Sequence, residues 1–130
     1  MITLDVGGND LLAILSNPAL LPQVLDQFKT NLTEILKTLR TNLPQTRIYI
    51  SNLYSIPEII GSEAAVQAFN LVVAGVANAF GIPVADVYTA FQGRSGLLLI
   101  ERHGADPLQV HPTNAGYRVI EQAFKAVITP

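Results

Sequence analysis

Ile2-Thr3-Leu4-Asp5-Val6-Gly7-Gly8-Asn9-Asp10 decides the fold. An apolar, β-branched run over 2–6 reads as a strand, and the paired glycines stop it. A helix follows at once. Asp10 to Leu15 predicts a short first piece, interrupted by Ser16-Asn17-Pro18. Pro22 suits the first position of a longer second piece. There Val24, Leu25, Phe28, Leu32, Ile35, Leu36, Leu39 and Leu43 recur at spacings of three and four, one buried stripe that Pro44 ends.

The same alternation continues along the chain. Arg47 to Tyr54 is rich in β-branched and aromatic residues and predicts a second strand. Ser62 and Glu63 start a second long helix with Val66, Phe69, Val72, Val73, Val76 and Phe80 on its inner face, stopped at Gly81. Ile82 to Tyr88 predicts a third strand. Thr89 to Val110 reads as a long irregular stretch, a length that in a compact domain is usually functional. Thr113 suits the cap of a last helix burying Val119, Ile120, Ala123, Phe124 and Val127. Strands alternating with helices require right-handed crossovers and a parallel sheet covered on both faces. The fold class is α/β, a three-layer α/β/α sandwich.

Composition agrees with that class and excludes others. The 130 residues fit a single domain over 1–130. Apolar residues are 49% and charged residues 14% of the chain, against the hydrophilic, charge-rich signature of disorder. A net charge of −2 with eight Lys+Arg offers no basic field for a phosphate backbone, so nucleic acid is not an expected partner. The absence of cysteine excludes disulfides, thiolate metal sites and thiol nucleophiles. Apolar runs such as Leu11 to Leu15 fall far short of a membrane span of ~20 residues. Met1 to Asp5 lacks the basic region and cleavage site of a signal peptide. So few charges on a globular chain lead us to expect that part of its surface is covered.

Chemistry in such a sheet belongs at the carboxyl ends of the strands. Three groups fall there by order along the chain: Gly7 to Asp10, Ser51 to Ser55, and the segment reaching His111. Asn9 is a neutral donor beside two glycines, the makings of an oxyanion hole. A Gly-Gly-Asn-Asp run is also an ordinary turn, and Asp10 suits a helix cap. His111, between Val110 and Pro112 and just before a capped helix, suits a general base. His103, beside Arg102 and Gly104, reads as solvated surface. Asp106 lies near enough before His111 to orient its ring if the loop bends back, although Asp-Pro also opens turns.

Taken as a pair, the two motifs resemble a known family. Gly7-Gly8-Asn9-Asp10 after its strand is similar to the G-x-N-D block of the SGNH (GDSL-type) ester hydrolase superfamily. His111-Pro112-Thr113-Asn114-Ala115-Gly116-Tyr117 is similar to that family's last block, which holds its catalytic histidine. Arg47 to Tyr54 and Pro83 to Phe91 look like later core strands, so the resemblance covers nearly the whole chain. It implies a flavodoxin-like fold with strand order 2-1-3-4-5 and hydrolysis of carboxylic esters of small or lipid acyl substrates, with no cofactor and no metal. It also implies roles: Asn9 donates to the tetrahedral oxyanion, Gly7 lets the turn close, and Asp10 positions that turn. His111 relays the proton between a serine and the leaving alcohol. The family's acidic partner falls just before the histidine, where this chain has Leu108 and Gln109, so Asp106 is the nearest carboxylate.

The family's first block, a strand ending in Gly-Asp-Ser that bears the nucleophile, has no counterpart here, nor has its second. The chain therefore matches the carboxyl-terminal two thirds of the family fold. Ser16, Ser62 and Ser95 fall in a helix break, at a cap and in a glycine-flanked loop. Ser51 and Ser55 flank the correct strand end but lack the sharp glycine-lined turn that exposes a nucleophile. Negligible ester hydrolysis is expected of this chain alone. The alternative is a non-catalytic assembly or binding module that keeps the fold, whereas a nucleotide site is disfavoured by the lack of a glycine-rich phosphate loop. With the family's first strands missing, Ile2 to Val6 becomes an apolar edge strand without lysine or proline. A homodimer paired along residues 2–6 is expected.

Overall fold

The computed structural model describes residues 1–102, 104 and 108–128. His103 and Asp106, both singled out above, lie outside the described residues.

Three strands form a parallel sheet in the order β1-β2-β3: β1 (Ile2–Leu4), β2 (Ile48–Ser51) and β3 (Val84–Ala85). Ile2 pairs with Ile48 and Leu4 with Ile50, while Ile50 pairs with Val84 and Ser51 with Ala85. Alternation along β2 assigns its faces. Ile48 and Ile50 join the core beneath α2 (Leu21–Asn42) and α3 (Ser62–Ala79), together with Phe28, Leu32, Leu36, Phe69 and Val73. Tyr49 turns the other way, into a second core with Val119, Ile120 and Phe124 of α5 (Asn114–Val127). Helices thus cover both faces of a parallel sheet, as the strand–helix alternation predicts, and β2 is buried throughout.

The helical expectations are refined at their ends. Helix α1 runs from Gly8 to Ser16 and starts earlier than predicted, so Asp10 sits in its first turn and makes no capping hydrogen bond. Leu21–Asn42 carries its proline within the first turn. Gly61, not Ser62, is the N-cap of α3; the Ser62 hydroxyl instead donates to the Ile56 carbonyl at 2.8 Å. Thr113 caps α5 as expected, its Oγ1 accepting from Gly116 N–H at 3.2 Å.

Two corrections concern the carboxyl-terminal half. The third strand shrinks from 82–88 to Val84–Ala85, because Asp86 ends it by capping α4 (Val87–Phe91) and accepting from Thr89 N–H at 3.1 Å. The stretch expected to be irregular contains the rest of α4 and an antiparallel pair, β4 (Leu98–Glu101) and β5 (Gln109–Pro112), with Leu99 opposite His111. His111 therefore stands on a strand, not in a loop.

Candidate active site

The first rim of the site is built on Gly7. Its φ of 102° lies in the left-handed region, and a Cβ there would come within 2.9 Å of two Phe28 ring atoms. Only glycine satisfies both conditions. The Gly7 carbonyl accepts the first helical bond of α1, from Leu11 N–H at 2.9 Å. Gly8, Asn9 and Asp10 form the first turn, whose amides have no partner within the helix and carry the positive end of its dipole.

The second rim is the hairpin. Its end is fastened where Thr113 N–H donates to the Leu97 carbonyl at 2.8 Å and Thr113 Oγ1 donates to the Gly96 carbonyl at 2.8 Å. Gly116 lies so close to the Leu97 carbonyl that any side chain would overlap it. His111 is exposed on β5, and among the described residues none hydrogen-bonds its ring.

Between the rims lies a cleft of about 930 Å³. Gly7, Asn9 and Asp10 line it from one side and His111 from the other, so residues from opposite ends of the sequence share one cavity. Asp5, Tyr54 and Tyr117 complete its polar wall, and Leu11, Leu53 and Ile56 are among its apolar residues. Sequence reasoning missed these three polar groups. In the sequence Asp5 is one residue of a strand, and both tyrosines reach the cleft through tertiary contacts.

Burial raises the Asp5 carboxyl above its ordinary value, opposed by a hydrogen bond with Ser51. Burial, then the charges of Asp5 and Tyr117, push the Tyr54 hydroxyl up to about 12. That hydroxyl donates to the Val110 carbonyl at 3.4 Å, and its ring stacks on Phe91 at 5.1 Å between centroids. Asn70 of α3 holds the cleft floor by accepting from Leu53 N–H at 2.7 Å and donating to the Leu53 carbonyl at 3.0 Å. At the neighbouring strand ends Asn52 donates to Asp86 at 2.9 Å. Burial works to raise the Asp86 carboxyl, but hydrogen bonds from Asn52 and Thr89 outweigh it and hold the group below its usual range.

The serines at the correct sheet edge are buried behind the cleft wall. Ser51 is 2% exposed and donates to the Leu4 carbonyl at 3.4 Å; Ser55 is 4% exposed and donates to Glu63 at 3.1 Å. Neither lines the cleft. Ser16 does, but its hydroxyl bonds back to the Leu12 carbonyl at 3.2 Å within α1. Glu63 is held below its usual range, chiefly by the Tyr88 hydroxyl, with Ser55 and Gln67 adding to it. Among the described residues no group of three or more His, Asp or Glu side chains converges to hold a metal ion, and no helix is long and apolar enough to cross a membrane.

The architecture is that of a solved hydrolase. The chain superposes with a TM-score of 0.70 on LAE5, an alpha/beta hydrolase enzyme from the metagenome of Lake Arreo, Spain, at 21% identity. The match covers 95% of this chain and 57% of LAE5, so the chain spans little more than half of that protein's length. Residues 1–119 match the GDSL-like lipase/acylhydrolase family, and the chain belongs to that family. No curated protein sequence matches it.

Proposed function

We propose that the cleft is the acyl-binding half of a carboxylic ester hydrolase site. The carrying observation is that Asn9, Gly7 and His111 line one cavity although they come from opposite ends of the chain. Asn9 and the first-turn amides of α1 stabilise the oxyanion of the tetrahedral intermediate; Gly7 sets their direction and Asp10 supports the turn. His111 takes the proton of a serine hydroxyl and returns it to the leaving alcohol. Asp106 orients the imidazole in this reading. In this reading the serine is one that these 130 residues do not supply, since Ser51 and Ser55 are buried and neither lines the cleft. The partner surface in the same reading is the outer edge of β1, where a second copy pairs around Ile2, Leu4 and Val6.

A short-chain activated ester tests the proposal in two ways. The chain alone should show no turnover above buffer, while an excess of the ester should shift the amide signals of Gly8 and Asn9 and the ring signals of His111. Asn9→Ala should remove the shifts at the first rim. Turnover abolished by Ser51→Ala or Ser55→Ala would overturn the assignment of the nucleophile. Shifts that avoid both rims would overturn the site itself and favour the non-catalytic module. Light scattering at micromolar concentration tests the pairing, and a monomer there would remove it.

A further inference from the structure

A groove between α2 and α3, remote in residue content from the cleft, has the makings of a second site. Its volume is about 470 Å³, within the range of small-molecule pockets. Leu71, Val72, Gly75 and Val76 of α3 and Phe80 at its C-cap supply an apolar wall; from α2, Lys29 supplies a cation and Thr33 a hydroxyl that donates to the Lys29 carbonyl at 2.7 Å. No carboxylate lines the groove, and among the described residues Lys29 makes no ion pair; the lysines that do are Lys37 and Lys125.

Two details give the groove its form. Gly75 lies inside an 18-residue helix, where glycine weakens the helix relative to alanine. A Cβ built on it meets nothing within 4 Å, so its bare backbone leaves the groove open. Leu71 is 76% exposed and lies along the same wall. From Leu71 to Ala79 the helix advances about 12 Å at 1.5 Å per residue, room for an extended hydrocarbon chain.

We propose that this groove binds a medium-chain acyl carboxylate, its carboxylate on the Lys29 ammonium and its chain along Leu71, Val72, Gly75, Val76 and Phe80. The single cation selects the class, since the other polar side chain of the lining, Thr33, is already committed to the Lys29 carbonyl. A neutral hydrocarbon would leave the ammonium unused, an organic cation would be repelled by it, and a polyol would find too few hydrogen-bonding groups. The site shares no residue with the cleft and stands independently of the ester hydrolase reading.

The experiment is an NMR titration of the chain with octanoate below its micelle concentration, run beside 1-octanol and octylammonium. Octanoate should shift signals of Lys29 to Thr33 and Leu71 to Phe80. It should bind about fivefold more tightly than 1-octanol, as an exposed charge pair provides, with octylammonium weakest. Lys29→Met should erase the preference of octanoate over 1-octanol. Gly75→Leu, which fills the groove without disturbing the helix, should lower octanoate affinity roughly tenfold or more while the dispersion of the remaining spectrum is unchanged. Equal affinity for octanoate and octylammonium, or tight binding to Gly75→Leu, would overturn the proposal. So would ligand-free, concentration-dependent shifts at Leu71 and Gly75, which would make the groove a contact between copies of the chain.

Discussion

The two rims of the cleft reach it by different routes. The first is local: within four residues the chain leaves β1, turns at Gly7 and enters α1, and the tightest distant demand is the Phe28 ring beside Gly7, with Leu53 at ordinary contact. The second is long-range: His111 is placed by pairing with Leu99 across the hairpin, and the hairpin is fastened to α5 through Thr113 and Gly116. A local rim is crowded by a side chain that can shift, whereas the hairpin rim is crowded by a backbone carbonyl already committed to a hydrogen bond. The rims should therefore differ in how they tolerate added volume.

The largest effect is expected at the hairpin. Gly116→Ala drives a methyl into the Leu97 carbonyl, which cannot retreat without losing its bond from Thr113 N–H. A loss of about 3 kcal/mol in chemical denaturation is expected, the upper part of the overpacking range. A loss below that of the cap deletion Thr113→Ala, about 1 kcal/mol, would mean the two rims do not differ in this way.

At the local rim, Gly7→Ala carries the left-handed strain, about 1–2 kcal/mol, plus the contact with Phe28. A total near 2 kcal/mol is expected, because the ring can move aside. Phe28 packs on Phe69 at 5.0 Å between centroids, so Phe28→Leu has its own cost. The double variant should nevertheless be more stable than the two single losses added together, a coupling of at least 0.5 kcal/mol. Strict additivity would sharpen the comparison differently, leaving backbone strain alone as the penalty at Gly7.

The smallest effect lies between the rims, at Asp5. Its carboxyl titrates above its ordinary value in the folded chain, so just above that value the folded state holds more protons than the unfolded state. Stability from this group then falls as pH rises through the window just above the ordinary carboxylate value. Asp5→Asn should flatten that part of the stability profile and raise the denaturation midpoint slightly at neutral pH. A midpoint that drops would show the carboxylate to be held by a favourable partner. Asp86 and Glu63, both lowered, act in the opposite sense, and their contribution is lost as pH falls below the ordinary carboxylate range.

Legibility followed the range of the forces. The long helices were readable because burial at spacings of three and four is written in the helix itself, from Phe28 to Leu36 and from Val66 to Val76. Asn9 and His111 were readable because their neighbours keep a motif. The hairpin was not: Leu98-Leu99-Ile100 is a uniform apolar run, its partner contains Pro112, and nothing local pairs Leu99 with His111. Nor was the polar wall, since Asp5 meets Ser51 only through the parallel register that sets Leu4 beside Ile50.

That register also governs the order in which the chain can fold. Among the described strands β2 is the only one with two neighbours, and β1 bonds to β2 alone, with Ile48 opposite Ile2. Of its possible neighbours among the described strands, β1 meets β2 only after the whole of α1 and α2 has been produced between them. Loop closure of that span precedes any reward from the sheet, which slows folding. Until then Ile2, Leu4 and Val6 present an apolar edge with no lysine or proline to deter a neighbouring chain. Refolding yield should then fall with concentration, because the same edge that awaits β2 will accept another nascent β1.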